Sequence, residues 1–255
     1  MIRRVQITGL DVYFGQGSED NDDEESEEDT GVQEYVRARW NLNISFASDP
    51  RRAGKEGLRP ESFDLINSRF VADGIDTSRW PGYVDDLRKL LRPGTGWLQM
   101  AEVELLFQSD NGMLRYDNSE HLFVWQQWYA NAMQRIGKDP RAGRRLGVHM
   151  RSAGFRDVRE RQIRLEIGAW NTSQSSILMC QCDTASQLTV VAASAALGSD
   201  IRNNALRHIE AVSLWPVAGA FPGQTPLMPM QQYRTLIDGA RSQLRDDRLK
   251  LYYTL

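Results

Sequence analysis

Between Phe63 and Leu106 the chain runs FDLINSRFVADGIDTSRWPGYVDDLRKLLRPGTGWLQMAEVELL. Phe63 to Ser68 is a short apolar segment ending in polar residues, and Pro60-Glu61-Ser62 ahead of it has turn chemistry. Val84, Leu87, Leu90 and Leu91 then recur at helical spacing until Arg92-Pro93-Gly94 stops the helix. Trp97 to Leu106 follows as a second apolar strand. Strand, helix and strand in that order predict an α/β sheet with helices on both faces.

The same alternation extends outward in both directions. Val5 to Val12 is rich in β-branched residues and closes on the lone carboxylate of Asp11, as a buried strand would. Trp40 to Phe46 (WNLNISF) predicts a further strand, closed by Ser48-Asp49-Pro50 as a turn. Leu122, Trp125, Tyr129, Met133 and Ile136 set a helix over roughly 120 to 136. Asp139-Pro140 suits the cap and first residue of another helix, with Gly154 as its stop. Ile163, Leu165 and Ile167 alternate with charges, giving a half-exposed strand. Asn171 to Ser199 is rich in Ser, Ala and Gln, nearly uncharged and without an amphipathic face, and is expected to be an inserted loop or a mistranslated intron. From Ile201 onward helical periodicity returns, and Tyr233, Leu236, Ile237, Ala240 and Leu244 define a C-terminal helix.

Of the 255 residues, 31 are Lys or Arg and 34 are Asp or Glu, a formal charge of −3. Nine of those acids lie between Glu19 and Asp29, so the rest of the chain carries +6. That run holds no apolar residue from Ser18 to Thr30 and predicts a solvated, disordered insertion in a mildly basic body. No basic, aromatic-laced stripe is present, which argues against nucleic acid as a partner. No apolar run reaches the roughly 18 residues of a membrane span, and Met1-Ile2-Arg3-Arg4 leads straight into a strand without a signal-peptide core. The expected location is cytoplasmic or nuclear. Cys180 and Cys182 are too close to staple distant elements, and His121, His149 and His208 match no metal-binding spacing, so no metal is expected.

Open parallel sheets bind ligands beyond the carboxyl ends of their strands, where this chain places Asp11, Ser48-Asp49 and Asn67-Ser68-Arg69. Together, VQITGLDVYF, FDLINSRFVADGI, RWPGYVDDLRKLLRPGTGWLQMAEVEL, AGFRDV and LIDGARSQLRDDRLKLYY resemble a class I S-adenosylmethionine-dependent methyltransferase, and more narrowly the fungal LaeA-like enzymes of secondary metabolism. The resemblance implies a single Rossmann-like domain over 1–255, with atypical insertions at 18–30 and 171–199 and a C-terminal helical part over 201–255. It implies S-adenosylmethionine as cofactor, with Asp11 and the adjoining Val12 at the ribose, Ser48 or Asp49 at the adenine, and Asn67, Ser68 and Arg69 flanking the methionine part. A carboxylate suits ribose because it accepts two O–H bonds at once. The family's glycine-rich motif would precede Val5 by some twenty residues, and the sequence holds no such segment there. The expected sheet therefore lacks its first strand and helix; a truncated gene model, closing-up of the second and fourth strands, or a protein partner or oligomer that covers the gap are the alternatives.

Trp80, Tyr83, Trp125, Trp128 and Tyr129 cluster in segments that cover the substrate in such enzymes, and predict an aromatic pocket for a flat small molecule. His121 is the candidate general base. Glu102 and Glu104 follow a strand, one of them expected to face the cleft or both to be solvated. The expected activity is methyl transfer to a small molecule. The alternatives are a degenerate methyltransferase fold acting as a non-catalytic interaction module, and a cofactor-independent cyclase.

Overall fold

A computed structural model of the chain describes residues 5–11, 32–170, 186–219 and 225–255. Val12, the acidic run, Cys180, Cys182 and residues 171–185 lie outside them. The described residues mix helices and strands, and they group into two compact units.

The first unit comprises residues up to Arg69 together with Gly74–Met100 and Gly147–Val158. Its strand β1 (Val5–Asp11) forms where expected, and its parallel partner is β2 (Val32–Arg39), in a register that sets Thr8 against Val36 and Asp11 against Arg39. The alternation of Val36 and Ala38 with Arg37 and Arg39 is the strand signal there. The expected strand over Trp40–Phe46 is instead a turn leading to a short 3-10 helix, Phe46–Ser48. Its polar side chains decide this. Asn41 Oδ1 accepts from Asn43 N–H at 2.9 Å, and the Ser45 hydroxyl accepts from Ala47 N–H at 3.2 Å, so the backbone is offered local partners in place of a sheet ladder. Trp40 and Phe46 are both buried, with ring centroids 5.6 Å apart.

Asp49-Pro50 starts a helix rather than closing a strand. The Asp49 carboxylate accepts from Arg52 N–H at 3.0 Å and Pro50 is the first residue of α1 (Pro50–Lys55). β3 (Leu65–Arg69), α2 (Trp80–Leu90) and β4 (Trp97–Ala101) follow the expected order. β3 and β4 pair side by side and run the same way, Trp97 N–H donating to Asp64 O at one end and Phe70 N–H to Ala101 O at the other. One polar network ties the 40–48 turn to α2. Arg79 donates to Leu42 O at 3.0 Å and meets Asp86 at 2.5 Å, while Asp86 also accepts from the Ser45 hydroxyl at 3.0 Å.

The second unit comprises Phe70–Asp73, Ala101–Leu146 and Arg159–Leu255. The single strand expected over Trp97–Leu106 breaks after Ala101 and resumes as β5 (Glu104–Ser109), because the Glu102 side chain is bonded inward to the backbone of another segment. α3 (His121–Arg135) occupies the expected helical span. The Asp139-Pro140 segment leads through a 3-10 turn, Ala142–Arg145, to Leu146, where α4 (Leu146–Ser152) begins; from Gly147 to Val158, with Gly154 at φ +90°, the chain belongs to the first unit. β6 (Arg164–Glu166) and β7 (Leu251–Thr254) complete an antiparallel sheet ordered β5-β7-β6. The last residues were expected to be part of a helical segment; Tyr252, Tyr253 and Thr254 are strand formers and make its central strand.

α5 (Ser186–Ser213) begins inside the segment expected to be a loop and runs into a π-helical turn, Leu214–Ala218, at Pro216. Small residues let it approach other backbone: Gly168 N–H donates to Gly198 O at 2.8 Å, and a Cβ at Gly198 would lie 2.1 Å from Gly168 O. α6 (Met230–Leu244) buries the five residues predicted for it. Among the described residues the strands thus pair as three small sheets, two of them parallel and one antiparallel, where the sequence predicts one parallel sheet covered by helices on both faces.

Asp86 is 5% exposed, and replacing it with Ala strands the Arg79 guanidinium and the Ser45 hydroxyl. Asp86→Ala is expected to lower stability by about 3 kcal/mol in urea denaturation. Asp64→Ala, at the exposed Arg92–Asp64 pair, should cost less than about 1 kcal/mol. Equal costs for the two would show that the buried network does not hold the 40–48 turn.

Candidate functional site

The second unit contains a cleft of about 500 Å³ built from the Phe70–Asp73 loop, the start of β5 and faces of α3 and α5. Phe70 leaves β3 with φ +55°, a conformation rare outside glycine, and the loop that follows is held by one carboxylate. Glu102 Oε1 accepts from Val71 N–H at 3.0 Å and Oε2 accepts from Ala72 N–H at 3.1 Å. Glu102 is 5% exposed. Burial pushes its carboxyl up to about 7; the two N–H groups oppose that rise and the charge of Asp73 adds to it.

Asp73 accepts from the Tyr129 hydroxyl at 2.8 Å. Burial raises the Tyr129 phenol well above its ordinary range, and Asp73 raises it further, so it remains a donor. His208 stands on α5 as an exposed residue that lines the cleft. Partial desolvation lowers its pKa below the ordinary imidazole value against the pull of Asp73, which favours the neutral form at pH 7. The walls between these groups are apolar, with Phe107, Ile209 and Tyr253 buried at the floor. The cleft therefore brings together two carboxyl groups, a neutral imidazole and a phenol donor against aromatic surface, a set able to orient a ligand and exchange a proton with it.

Of the residues singled out from sequence, Tyr129 lines this cleft and Trp125 supports it, stacked on Tyr129 at 5.2 Å with planes 4° apart. The Trp125 indole N–H donates to Ser213 Oγ at 3.0 Å and Ile209 O at 3.2 Å. Trp128 is half-buried against the same core. Trp80 and Tyr83 are buried in the first unit, Tyr83 OH sharing a 3.0 Å hydrogen bond with Ser68 and Trp80 stacked over His149 at 6.3 Å. His121 opens α3 and does not line the cleft. Its ring lies against Gly239 of α6, where a Cβ would come within 2.3 Å of it.

The described residues that the resemblance assigns to the cofactor lie in the first unit. Asp11 ends β1, with its side chain outside the described set. Asp49 caps α1, Ser48 donates to Ser45 O at 2.6 Å, Asn67 accepts from Arg69 at 2.8 Å, and Ser68 is buried against Tyr83. Among the described residues these polar contacts serve local structure.

Comparison with known proteins gives the wider frame. Over 113 residues the chain is 30% identical to the secondary metabolism regulator LAE1 of Cochliobolus heterostrophus, covering 44% of this chain and 36% of that protein. Over 116 residues it is 30% identical to LAE1 of Pyricularia oryzae, covering 45% and 34%. Over 111 residues it is 26% identical to the N-methyltransferase gliN of Aspergillus fumigatus, covering 44% and 38%. The chain resembles the LaeA-like methyltransferases. Its match spans little more than a third of the length of these relatives. No protein-family model matches the chain, and no helix among the described residues is long and apolar enough to cross a membrane.

No sequence motif marks Phe70, Asp73 or His208 as site residues, and the sequence places Glu102 either in the cleft or in solvent. The available signal was a carboxylate set between Met100-Ala101 and Val103-Glu104-Leu105-Leu106, where an acid in an apolar run needs internal partners.

Because the folded state holds the Glu102 proton up to about pH 7 and the unfolded chain releases it near 4.5, this group stabilises the fold fully below pH 4.5. Its contribution is lost as pH rises through 7, by roughly 3 kcal/mol across that window. His208 works in the opposite sense, so the measurable quantity is the difference between wild type and Glu102→Gln. The variant should gain stability relative to wild type from pH 5 to pH 8 in denaturant titrations, and a constant difference would mean the carboxyl is already ionised at pH 5.

Proposed function

We propose that the protein takes part in S-adenosylmethionine-dependent methyl transfer to a small-molecule acceptor in fungal secondary metabolism, with the Glu102 cleft receiving the acceptor. The observation that carries this reading is the convergence of Glu102, held near neutrality, and the neutral His208 on one aromatic-walled cavity of about 500 Å³. The cofactor would supply the methyl group. The chain's own residues bind and orient the acceptor, exclude water at the floor, and offer two groups able to take up the proton that an acceptor N–H or O–H loses. The names of the relatives, which include an N-methyltransferase and regulators of secondary metabolism, support the same direction.

A second reading is a degenerate methyltransferase-like protein that binds its ligand, or a protein partner, without transferring a methyl group. The engagement of Asp49, Ser48, Asn67 and Ser68 in local hydrogen bonds favours it. Incubation with methyl-labelled S-adenosylmethionine and a fungal small-molecule extract separates the two. The first reading expects label in the small-molecule fraction, reduced at least tenfold by Glu102→Gln; an unlabelled fraction supports the second.

A further inference from the structure

The chemistry of the cleft selects among acceptors. Glu102 and Asp73 both face it, and among the described residues neither carboxyl takes part in an ion pair, although most acids on the surface of this unit do. A buried carboxyl without a counter-charge is costly in its ionised form, and that cost is what holds the Glu102 proton. The cations at hand do not relieve it. Partial desolvation favours the neutral form of His208, and Arg207 is exposed at the mouth, where water screens its charge. The rings of Tyr129, Phe107 and Tyr253 line the floor, and aromatic rings attract cations as well as apolar groups.

We propose that the cleft takes a primary or secondary amine, in its ammonium form, carried on a flat apolar body. The ammonium sits between Glu102 and Asp73 and supplies the missing charge, while the body packs on the aromatic floor. An alcohol of the same shape satisfies hydrogen bonds but leaves the carboxyl uncompensated, and a carboxylic acid adds a third negative charge. This assignment rests on the reading of the cleft as the acceptor site and narrows that acceptor to an amine, whose nitrogen becomes nucleophilic once the ionised Glu102 carboxylate has taken a proton from the bound ammonium.

Calorimetric titration of the whole chain at pH 8 with 2-phenylethylamine, 2-phenylethanol and 3-phenylpropionate tests it without any cofactor. The amine is expected to bind at least tenfold tighter than the alcohol, with the carboxylate weakest. Glu102→Gln and, separately, Asp73→Asn should each cut the preference for amine over alcohol by about tenfold, with alcohol affinity held within threefold. Asp73 is exposed, and its one described hydrogen bond is to Tyr129, so its replacement leaves the Glu102-bound loop in place. Equal affinity for alcohol and amine, a preference for the carboxylate, an amine preference that survives both substitutions, or no binding of any of the three would overturn the assignment. Amine binding without methyl transfer from labelled S-adenosylmethionine would instead count against the proposed function alone.

Discussion

Trp125 is the side chain on which the second unit turns. Its indole N–H is shared between Ser213 Oγ and Ile209 O on α5, and the same serine hydroxyl meets the Tyr233 hydroxyl of α6 at 2.9 Å. Its ring stacks flat on Tyr129 within α3 and lies tilted 5.7 Å from Phe107 of β5, whose far side meets Tyr253 of β7 edge-on. One residue thereby joins three helices to the sheet, through both a large apolar surface and a satisfied polar tip. Tyr129, Phe107, Ile209 and Tyr253 are also the cleft floor, so the packing that stabilises this unit fixes the geometry of the site.

On that rigid floor the electrostatics of Glu102 rest on a contest between two terms of opposite sign. The two backbone N–H groups of the loop favour the carboxylate, and burial disfavours it; burial wins. The same carboxyl thus has a structural task, holding the turn after β3, and a chemical one, remaining exchangeable near neutral pH. These tasks are compatible because hydrogen bonds from N–H donors fix an oxygen in space without supplying the full charge that would keep it ionised.

Elements whose periodicity matched their surroundings were legible in the sequence: β1, α2, α3 and α6 lie close to where spacing puts them. Misreadings arose where a polar side chain took over the backbone's hydrogen bonding. Asn41, Asn43 and Ser45 turned an apolar WNLNISF into a compact knot, Asp49 became a helix cap, and Glu102 broke a strand in two. α5 was hidden for another reason, since Ala and Ser carry no amphipathic signal and reveal their use only against a partner such as Gly168. The site was less legible than the fold. Its residues come from loop 70–73, β5, α3 and α5, which are far apart in sequence, so no local motif marks the cleft.

The two sides of α5 are unequal in what they constrain. Ala205 and Ile209 are locked into the core, while Asn204, Arg207 and His208, on the same helix and lining the same cleft, are exposed at the mouth. Substitutions at those three positions alter the entrance without disturbing the Trp125 packing below. A scaffold so divided is well placed to diversify, because new ligands can be explored one rim residue at a time while the fold's stability and the buried carboxyl are inherited unchanged.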